Sequence, residues 1–264
     1  MHELTVDKIT AQLQAADRDG LAVLERSLAA DTRKGVQRAL AAARKRLDAA
    51  EAEAARVQGL YDFERTLAAE RGAQLVVGLD EVGRGPLAGP VAVGAVVLPP
   101  DAEPIAGLND SKQVRPEDRP AIAAQVKAQA LAWSVQYMQP DEIDAAGMTT
   151  VLKLAFKRAV AAIEAAGVAP EVILLDGNPL RLDPREVNVV KGDGRCASIA
   201  AASIIAKVER DALMEQLDDE FPGYGFASNK GYASAAHIDA IQRLGLSPMH
   251  RASFCTAFTQ ATLF

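Results

Sequence analysis

The chain contains few cysteines and no long apolar run. Of its 264 residues only Cys196 and Cys255 are cysteines, and no CxxC pair occurs, which excludes a disulfide framework and favours a reduced protein. No apolar run approaches the roughly 20 residues that a membrane span requires. The opening segment MHELTVDKIT has no basic stretch followed by an apolar one, unlike a secretory signal. We therefore expect a cytoplasmic protein without membrane contact.

The chain also lacks an excess of positive charge. Its formal net charge is −6, which taken alone argues against a nucleic-acid partner. The basic residues are unevenly placed, however: residues 33–46 hold several of them and no acid, and the stretch after Pro222 is basic apart from Asp239. Local basic surfaces are compatible with a phosphate-backbone ligand. For residues 33–46, a solvated helix face is the simpler explanation.

The first 70 or so residues contain no strand signal. They are rich in alanine, leucine, arginine, glutamate and glutamine, which favour helices. Thr5 can begin a first helix, with Ile9 and Leu13 on one apolar face. We therefore predict a helical N-terminal extension over residues 1–72, with a main domain over residues 73–264. Docking on the main domain, contact with a partner and contact with DNA are all open roles for the extension.

Apolar runs bounded by glycine and proline predict the strands of the main domain. They lie at residues 75–80, 90–98, 133–138, 172–175 and 187–190. Helical patterns lie at residues 115–129, 149–166 and 198–217, with further helices at 234–244 and 252–262. This order predicts an α/β domain with a mixed sheet. The helix at 149–166 is long enough for a crossover, so the strands on either side of it can be parallel.

Two adjacent carboxylates, Asp80 and Glu81, end the first apolar run of the main domain. A carboxylate is costly to bury without a partner. A turn acid followed by a helix cap is the simplest explanation for such a pair. The alternative is a divalent cation, because hard metals take oxygen ligands from clustered carboxylates.

Further acids end other predicted strands. Asp176 ends the run VILLD, and Asp193 follows the run VNVV. Open α/β sheets bind ligands at the carboxyl ends of their strands, so parallel neighbours would bring Asp80 and Asp176 together. With Glu81 the set has four acids, and like charges at that density need cations. Two divalent ions ~4 Å apart on such a set are the usual machinery for phosphodiester hydrolysis.

Six sequence blocks, in order, resemble bacterial ribonuclease HII. They are DEVGRGPLAGP (80–90), NDSK (109–112), LLDGN (174–178), KGDGRCASIAAASIIAKVERD (191–211), KGY…H (230–237) and HRASF (250–254). The segment RKGVQ at 33–37 also resembles the N-terminal extension of longer members. The chain departs from the family's usual pattern at Ala233-Ser234, Cys196 and Ala252, where Gly-Thr, serine and lysine are frequent. These departures concern phosphate contacts and leave the acids untouched.

The resemblance implies a ribonuclease H-like mixed sheet flanked by helices, with an N-terminal helical extension and C-terminal helices. It implies a metal-dependent endoribonuclease that cleaves the RNA strand of RNA–DNA hybrids and single ribonucleotides embedded in DNA, leaving 3′-hydroxyl and 5′-phosphate ends. Asp80, Glu81, Asp176 and Asp193 are the implied catalytic acids and ligands of two Mg²⁺ or Mn²⁺ ions. We expect a monomer whose partners are hybrid duplexes and DNA containing ribonucleotides.

The resemblance also implies a set of substrate contacts. Gly83, Arg84 and Gly85 match the family's ribonucleotide sensor, whose main chain approaches the 2′-hydroxyl, the group that distinguishes RNA from DNA. Tyr232 matches the tyrosine that stacks on the sugar at the RNA–DNA junction. The implied phosphate contacts are Lys112, Lys191, Ser198 and Ser203.

Two other functions remain open at this point. Ribonuclease HIII has lysine in place of the central arginine of the GRG block, so Arg84 speaks against it. A catalytically inactive nucleic-acid-binding module would not need four acids. Because all six blocks lie beyond Gln74, we expect a chain lacking residues 1–70 to fold and to cleave.

Several chemistry-bearing residues have simple structural explanations. Asp110 is expected to order its loop, and Asp211 to form an ion pair within its helix. His237 and His250 are expected to be structural. Trp133 is expected to lie in the core.

Overall fold

The structure is a computed structural model that describes residues 4–177, 179–181 and 183–259. The chain divides into two compact units, Met1–Arg56 and Val57–Phe264. Its first three helices are α1 (Val6–Ala15), α2 (Arg18–Ser27) and α3 (Lys34–Glu70), and α3 contributes residues to both units. No helix in the described part of the chain is both long enough and apolar enough to cross a membrane.

The first unit is helical, as predicted. The side chain of Thr5 accepts a hydrogen bond from the Lys8 N–H at the start of α1, and Asp17 caps α2 in the same way. The unit has its own apolar cluster, formed by Ile9, Leu13, Leu21, Val36, Leu40 and Ala43. Arg44 in the basic stretch forms an ion pair with Glu25, which fits a solvated helix face.

The second unit contains a mixed five-stranded sheet, which confirms the predicted fold class. The strands are β1 (Val76–Val82), β2 (Val91–Val97), β3 (Ala132–Met138), β4 (Val172–Asp176) and β5 (Glu186–Val189). Their spatial order is β3-β2-β1-β4-β5. The first three strands pair antiparallel, whereas β1, β4 and β5 pair parallel. The strand that carries Asp80 therefore lies in the middle of the sheet.

Seven further helices complete the described part of this unit. They are α4 (Arg119–Gln129), α5 (Pro140–Ala146), α6 (Met148–Ala165), α7 (Ala197–Glu220), α8 (Phe226–Asn229), α9 (Ala235–Leu244) and α10 (Ala252–Thr259). The start of α4 lies after the predicted 115, with a proline in its first turn. The sequence patterns missed α5, a short helix whose first turn carries a capping box from Gln139 and Glu142. The end of the predicted helix 252–262 lies outside the described residues.

Helices cover both faces of the sheet. The apolar side of α6 packs on one face, in a cluster that includes Val93, Phe156 and Ile173. On the other face α7 lies against β1 and β2. A β-carbon added to Gly78 of β1 or Gly94 of β2 would overlap the main chain of α7. These two glycines therefore allow the helix to lie directly on the strands.

The last part of α3 belongs to the core of the second unit. Val57, Leu60 and Tyr61 are each only 2–3% exposed and join the apolar cluster that also contains β2 and α7 residues. The Tyr61 hydroxyl accepts a hydrogen bond from the Ile105 N–H. The burial of these residues argues against the expectation that residues 1–70 can be removed without loss of the fold. The domain boundary at 72/73 stays a prediction.

The expectation that Trp133 lies in the core is also wrong. Trp133 is 41% exposed, and the Lys127 ammonium lies 4.5 Å from the centre of its ring. The physical reason is the position of β3 at the edge of the sheet, where one side of the strand is open to solvent. The lysine covers the ring as a cation–π contact.

Candidate active site

Strand pairing brings the predicted acids together at the carboxyl ends of the parallel strands. β1 and β4 are parallel neighbours with Leu79 opposite Leu175, so the next residues, Asp80 and Asp176, lie side by side where the pairing of these two strands ends. β1 itself continues to Val82 beside β2. Asp193 lies in a 3₁₀ turn that follows β5, the parallel neighbour of β4. The Gly192 N–H in that turn donates a hydrogen bond of 2.7 Å to Asp176 Oδ1. The predicted meeting of Asp80 and Asp176 is thus confirmed, although Asp80 lies two residues before the end of β1 and not at it.

The acids interact strongly with one another. Burial, the charge of Glu81 and, more weakly, the charge of Asp176 raise the pKa of Asp80 to about 8. Burial and the charge of Asp176 likewise raise the pKa of Asp193. The exposed Lys112 feels the same field: burial lowers its pKa, but Asp110, Asp80, Asp193 and Asp176 together raise it. The carboxyl end of the parallel strands is therefore a region of strong negative electrostatic potential.

Ser203 supports Asp80 from α7. Its hydroxyl lowers the pKa of the Asp80 carboxyl against the effect of burial. The Ser111 N–H donates to Ser203 Oγ at 3.3 Å, and the two hydroxyls are 3.0 Å apart. Ser203 is only 3% exposed. Its position fits a residue that orients Asp80 better than the predicted phosphate contact.

Ser198 is not placed to contact phosphate, which corrects the prediction for this residue. It is fully buried, and both its N–H and its hydroxyl donate to Glu64 Oε2 at 2.7 Å. Ser198 lies in the first turn of α7, where main-chain N–H groups have no partner within the helix. Glu64 of α3 supplies that partner. The sequence patterns missed Glu64, although it follows Val57, Leu60 and Tyr61 along one helical face.

The fold restricts only one of the two glycines in the GRG block to glycine. Gly83 has a φ of 86°, and a β-carbon there would overlap the Arg210 side chain. Gly85 has neither constraint: it is exposed, and nothing lies within 4 Å of an added β-carbon. The fold itself therefore accounts for a glycine at 83 and gives no reason for one at 85.

The remaining predicted contacts are exposed. Arg84 extends into solvent and donates a hydrogen bond of 3.0 Å to Glu81 Oε1. Lys112 is 80% exposed at its side chain, and Lys191, also exposed, precedes the turn that carries Asp193. Tyr232 is 45% exposed in the turn after α8. These four side chains are accessible to a large ligand.

Comparison with known proteins assigns the family. The family model described as Ribonuclease HII matches residues 77–257, more than half of the chain. The chain belongs to the ribonuclease HII family. The model described as Ribonuclease HII N-terminal domain matches residues 5–68. The enzyme is therefore a ribonuclease H, a hydrolase of the RNA strand of RNA–DNA hybrids, as the sequence blocks predicted.

Relatives named Ribonuclease HII match most of this chain. The protein from Levilactobacillus brevis is 43% identical over 228 residues, which are 86% of this chain and 86% of the relative. The protein from Lachnoclostridium phytofermentans is 40% identical over 260 residues, which are 97% of this chain and 98% of the relative. The match therefore extends over the N-terminal helices as well as the ribonuclease HII domain.

Solved structures support the fold. The ribonuclease H2 of Pyrococcus horikoshii OT3 is 25% identical with a TM-score of 0.59, over 71% of this chain and 100% of that one. A structure described as Bst-RNase HIII in complex with Mn²⁺ is 27% identical with a TM-score of 0.56, over 67% and 64% of the two chains. The sheet and its flanking helices are thus shared by ribonucleases H2 and HIII.

The carboxylates of this ribonuclease HII are chemically suited to divalent cations. They offer only oxygen donors, which Mg²⁺ and Mn²⁺ prefer. Burial and, after it, the charges of neighbouring acids raise the pKa values of Asp80 and Asp193, and a bound cation relieves both effects. As they stand, no three histidine, cysteine or acidic side chains among the described residues form a ready metal site. The donor set therefore matches the ions in its chemistry and not in the arrangement of its side chains.

The simple structural explanations hold for the other polar residues of this ribonuclease HII. Asp110 Oδ1 accepts the Lys112 N–H at 3.0 Å and so orders its loop. Asp211 forms an ion pair of 2.7 Å with Lys207 one turn earlier in α7. His237 and His250 are buried and lie within hydrogen-bond distance of each other.

Proposed function

We propose that this ribonuclease HII uses two divalent ions and cleaves at single ribonucleotides embedded in duplex DNA as well as within RNA–DNA hybrids. It leaves 3′-hydroxyl and 5′-phosphate ends. The observation that carries the proposal is the meeting of Asp80, Asp176 and Asp193 at one edge of the sheet, with Glu81 next to Asp80. Binding of nucleic acid alone does not require such a cluster of negative charge.

The four acids are the proposed ligands of Mg²⁺ or Mn²⁺. The Mn²⁺ complex of the related ribonuclease HIII supports divalent metal use. When bound, such ions activate a water molecule and stabilise the leaving oxygen. The chain's own contribution is to hold the ligands: Ser203 favours the charged form of Asp80, and the Gly192 N–H donates to Asp176. Arg84 restrains Glu81 from the solvent side.

Gly85 supports recognition of the ribose 2′-hydroxyl. It is exposed two residues after Gly83, in a loop that leaves β1 beside the acids. Because the fold leaves open space at its α-carbon, a glycine there is useful chiefly to a ligand that approaches the main chain closely. The 2′-hydroxyl can donate and accept hydrogen bonds, so main-chain groups can read it. The residues Gly83, Arg84 and Gly85 are the proposed sensor.

Tyr232 is proposed to stack on the sugar of the deoxynucleotide that follows the ribonucleotide. Its half-exposed ring lies in a turn whose main chain contacts the loop after β1: the Leu87 N–H donates to Gly231 O at 2.8 Å. Lys112 and Lys191 are proposed phosphate contacts, because both are exposed and Lys112 lies in the field of the acids. Such contacts position the strand without reading its sequence.

The test uses three 5′-labelled duplexes: all DNA, DNA with one ribonucleotide, and a long RNA–DNA hybrid. Purified enzyme with Mg²⁺ is expected to cut the second at one phosphate, 5′ to the ribonucleotide, and the third at many, while the first stays intact. Asp80→Asn is the matched inactive control, and chelation should abolish all cleavage. An intact second duplex beside a degraded hybrid would refute the single-ribonucleotide activity alone.

The two other functions considered from the sequence are less well supported. The ribonuclease HIII neighbour is 27% identical, whereas relatives named Ribonuclease HII reach 40–43%. A non-catalytic module is contradicted by membership of a hydrolase family.

A further inference from the structure

Arg251 is a buried cation that binds the loop after β1 from within. It is 0% exposed, and burial lowers its pKa to about 10, so it remains charged at neutral pH. Its guanidinium donates to Gly83 O at 2.7 Å, Arg84 O at 2.9 Å, and Gly89 O at 3.0 and 2.7 Å. We name residues 83–90 the sensor loop. One side chain thus fixes carbonyls at both ends of the sensor loop.

A second buried cation joins the sensor loop to the turn of Tyr232. Arg210 of α7 donates to Pro90 O at 2.8 Å and Ala88 O at 3.3 Å, which are both in the sensor loop. The same guanidinium donates to Lys230 O at 3.0 Å. We name residues 230–232 the tyrosine turn. Arg210 therefore ties the beginning of the tyrosine turn to the sensor loop.

A chain of hydrogen bonds fixes the other end of the tyrosine turn. The Ser247 N–H is 2.9 Å from His250 Nδ1, His250 Nε2 is 3.1 Å from His237 Nε2, and His237 Nδ1 is 2.8 Å from Tyr232 O. An N–H can only donate and a carbonyl can only accept. His250 Nδ1 therefore accepts, His250 Nε2–H donates to His237, and His237 Nδ1–H donates to Tyr232.

The two imidazoles are held in this arrangement by their surroundings. Tyr224 and Phe226 pack against both rings, with centroid distances of 4.7 Å from Tyr224 to His250 and 5.5 Å from Phe226 to His237. Burial lowers the pKa of both imidazoles, that of His250 to about 4. At neutral pH both rings are neutral, as the directional chain requires.

We propose that the adjacent residues His250 and Arg251 are a positioning pair that holds the sensor loop and the tyrosine turn at a fixed spacing. Arg251 holds the main chain that reads the ribose. His250 acts through His237 on the carbonyl of Tyr232, whose ring reads the next sugar. The inference rests on the proposed function, because the spacing matters only if both turns contact one substrate. His250 itself contacts no substrate in this scheme.

Within the pair, His250 should matter most at a single embedded ribonucleotide. There the scissile site is defined by one ribose and one following deoxyribose, so both turns must engage together. Within a long hybrid, any ribose can occupy the sensor loop. A displaced tyrosine turn should therefore lower the ratio of single-ribonucleotide cleavage to hybrid cleavage, and small displacements in a site are costly.

The test is a double-mutant cycle between His250 and Tyr232. His250→Phe removes the hydrogen-bond chain and keeps an aromatic ring, and Tyr232→Ala removes the stacking group. Each single variant is expected to lower the cleavage ratio about tenfold. The double variant should be no worse than Tyr232→Ala, because both act through the same ring. Rates are compared well below each melting temperature, and the folded fraction is measured by circular dichroism.

The outcomes separate this inference from the proposed function. Multiplicative effects, or an unchanged ratio in His250→Phe beside a lowered one in Tyr232→Ala, would overturn the positioning role and leave the function intact. An unchanged ratio in Tyr232→Ala would overturn both this inference and the proposed role of that ring.

Two further variants keep the inference testable if His250→Phe does not fold. His250→Gln retains a donor that can reach His237, so its ratio should stay near that of the wild type; a tenfold loss would count against the chain. Arg251→Lys keeps the charge and loses the planar fork. It should slow cleavage of both substrates with an unchanged ratio, and wild-type rates would refute the role of Arg251.

Discussion

Removal of residues 1–56 and removal of residues 1–70 should have opposite outcomes. The shorter truncation begins at Val57, where the second compact unit begins, and is expected to fold and to cleave. The longer truncation also removes Val57, Leu60, Tyr61 and Glu64. The first three side chains are 2–3% exposed, and Glu64 accepts two hydrogen bonds from Ser198.

The size of the loss follows from these contacts. Burial of an apolar side chain of this size contributes about 1.5–3 kcal/mol, so removal of the three loses roughly 5–9 kcal/mol of stability. Loss of Glu64 leaves the Ser198 N–H without its partner, which adds about 1–3 kcal/mol. Domains are typically stable by only about 5–15 kcal/mol. The longer truncation is therefore expected to be unfolded, or to melt roughly 10–50 °C lower than the shorter one.

Thermal melting followed by circular dichroism, with cleavage of a hybrid duplex, measures both effects. Tyr61→Ala in the shorter truncation is the matched control and should lower the melting temperature by an intermediate amount. Melting temperatures within a few degrees for the two truncations would refute the reasoning. That result would mean that the end of α3 covers the core without stabilising it.

Three further predictions concern single residues. Asp80→Asn should abolish cleavage with the fold retained. With a chelator present, its melting temperature should exceed that of the wild type, and the difference should grow between about pH 4 and 8. A carboxyl whose pKa is raised in the folded state destabilises the fold as pH rises through that range. A difference that stays constant with pH would contradict the conclusion that burial raises the pKa of Asp80. Gly85→Ala should melt like the wild type but cleave at least about tenfold more slowly, since only the ligand needs the open space at this residue. Gly83→Ala should instead lower the melting temperature. An equal fall in melting temperature for both variants would contradict the proposed role of Gly85 in ribose recognition. Tyr232→Ala should lower the rate of cleavage at a single ribonucleotide roughly ten- to hundredfold, and the rate on a long hybrid by less. A sharp fall in the melting temperature, with equal losses of activity on both substrates, would show that Tyr232 is a packing residue.

The position of the acids could be predicted because it depends on local pattern and one topological rule. Apolar runs that end in Asp80 and Asp176 predict strand ends, and parallel pairing then brings the two residues together. The mixed sheet follows from the same runs. The start of α4 was misplaced because the prediction began at Arg115, before Pro116, whereas the helix begins at Arg119 after the N-cap Asp118, with Pro120 in its first turn.

The residues that support the site could not be identified in this way. Arg210, Arg251 and Glu64 are charged, and a charged residue is expected at the surface unless a specific partner is known. Their partners are far away in sequence: Glu64 binds Ser198, and Arg251 binds carbonyls of the sensor loop. A partial signal did exist, because Arg210 shares one face of α7 with Ala206 and Met214, which are buried. A charged residue within an apolar stripe indicates a buried partner.

The close approach of α7 to the sheet determines how far a short side chain can reach. Serine is one of the smallest polar residues, yet Ser203 lowers the pKa of Asp80 across the boundary between two layers of structure. It does so because Gly78 and Gly94 leave no side-chain layer between the helix and the strands. The distance between α7 and the sheet therefore affects the geometry of the active site. Any larger residue at either glycine would push α7 away from the sheet and move Ser203 and Arg210 with it. A single substitution would therefore weaken the contacts to the acids and to the sensor loop at the same time.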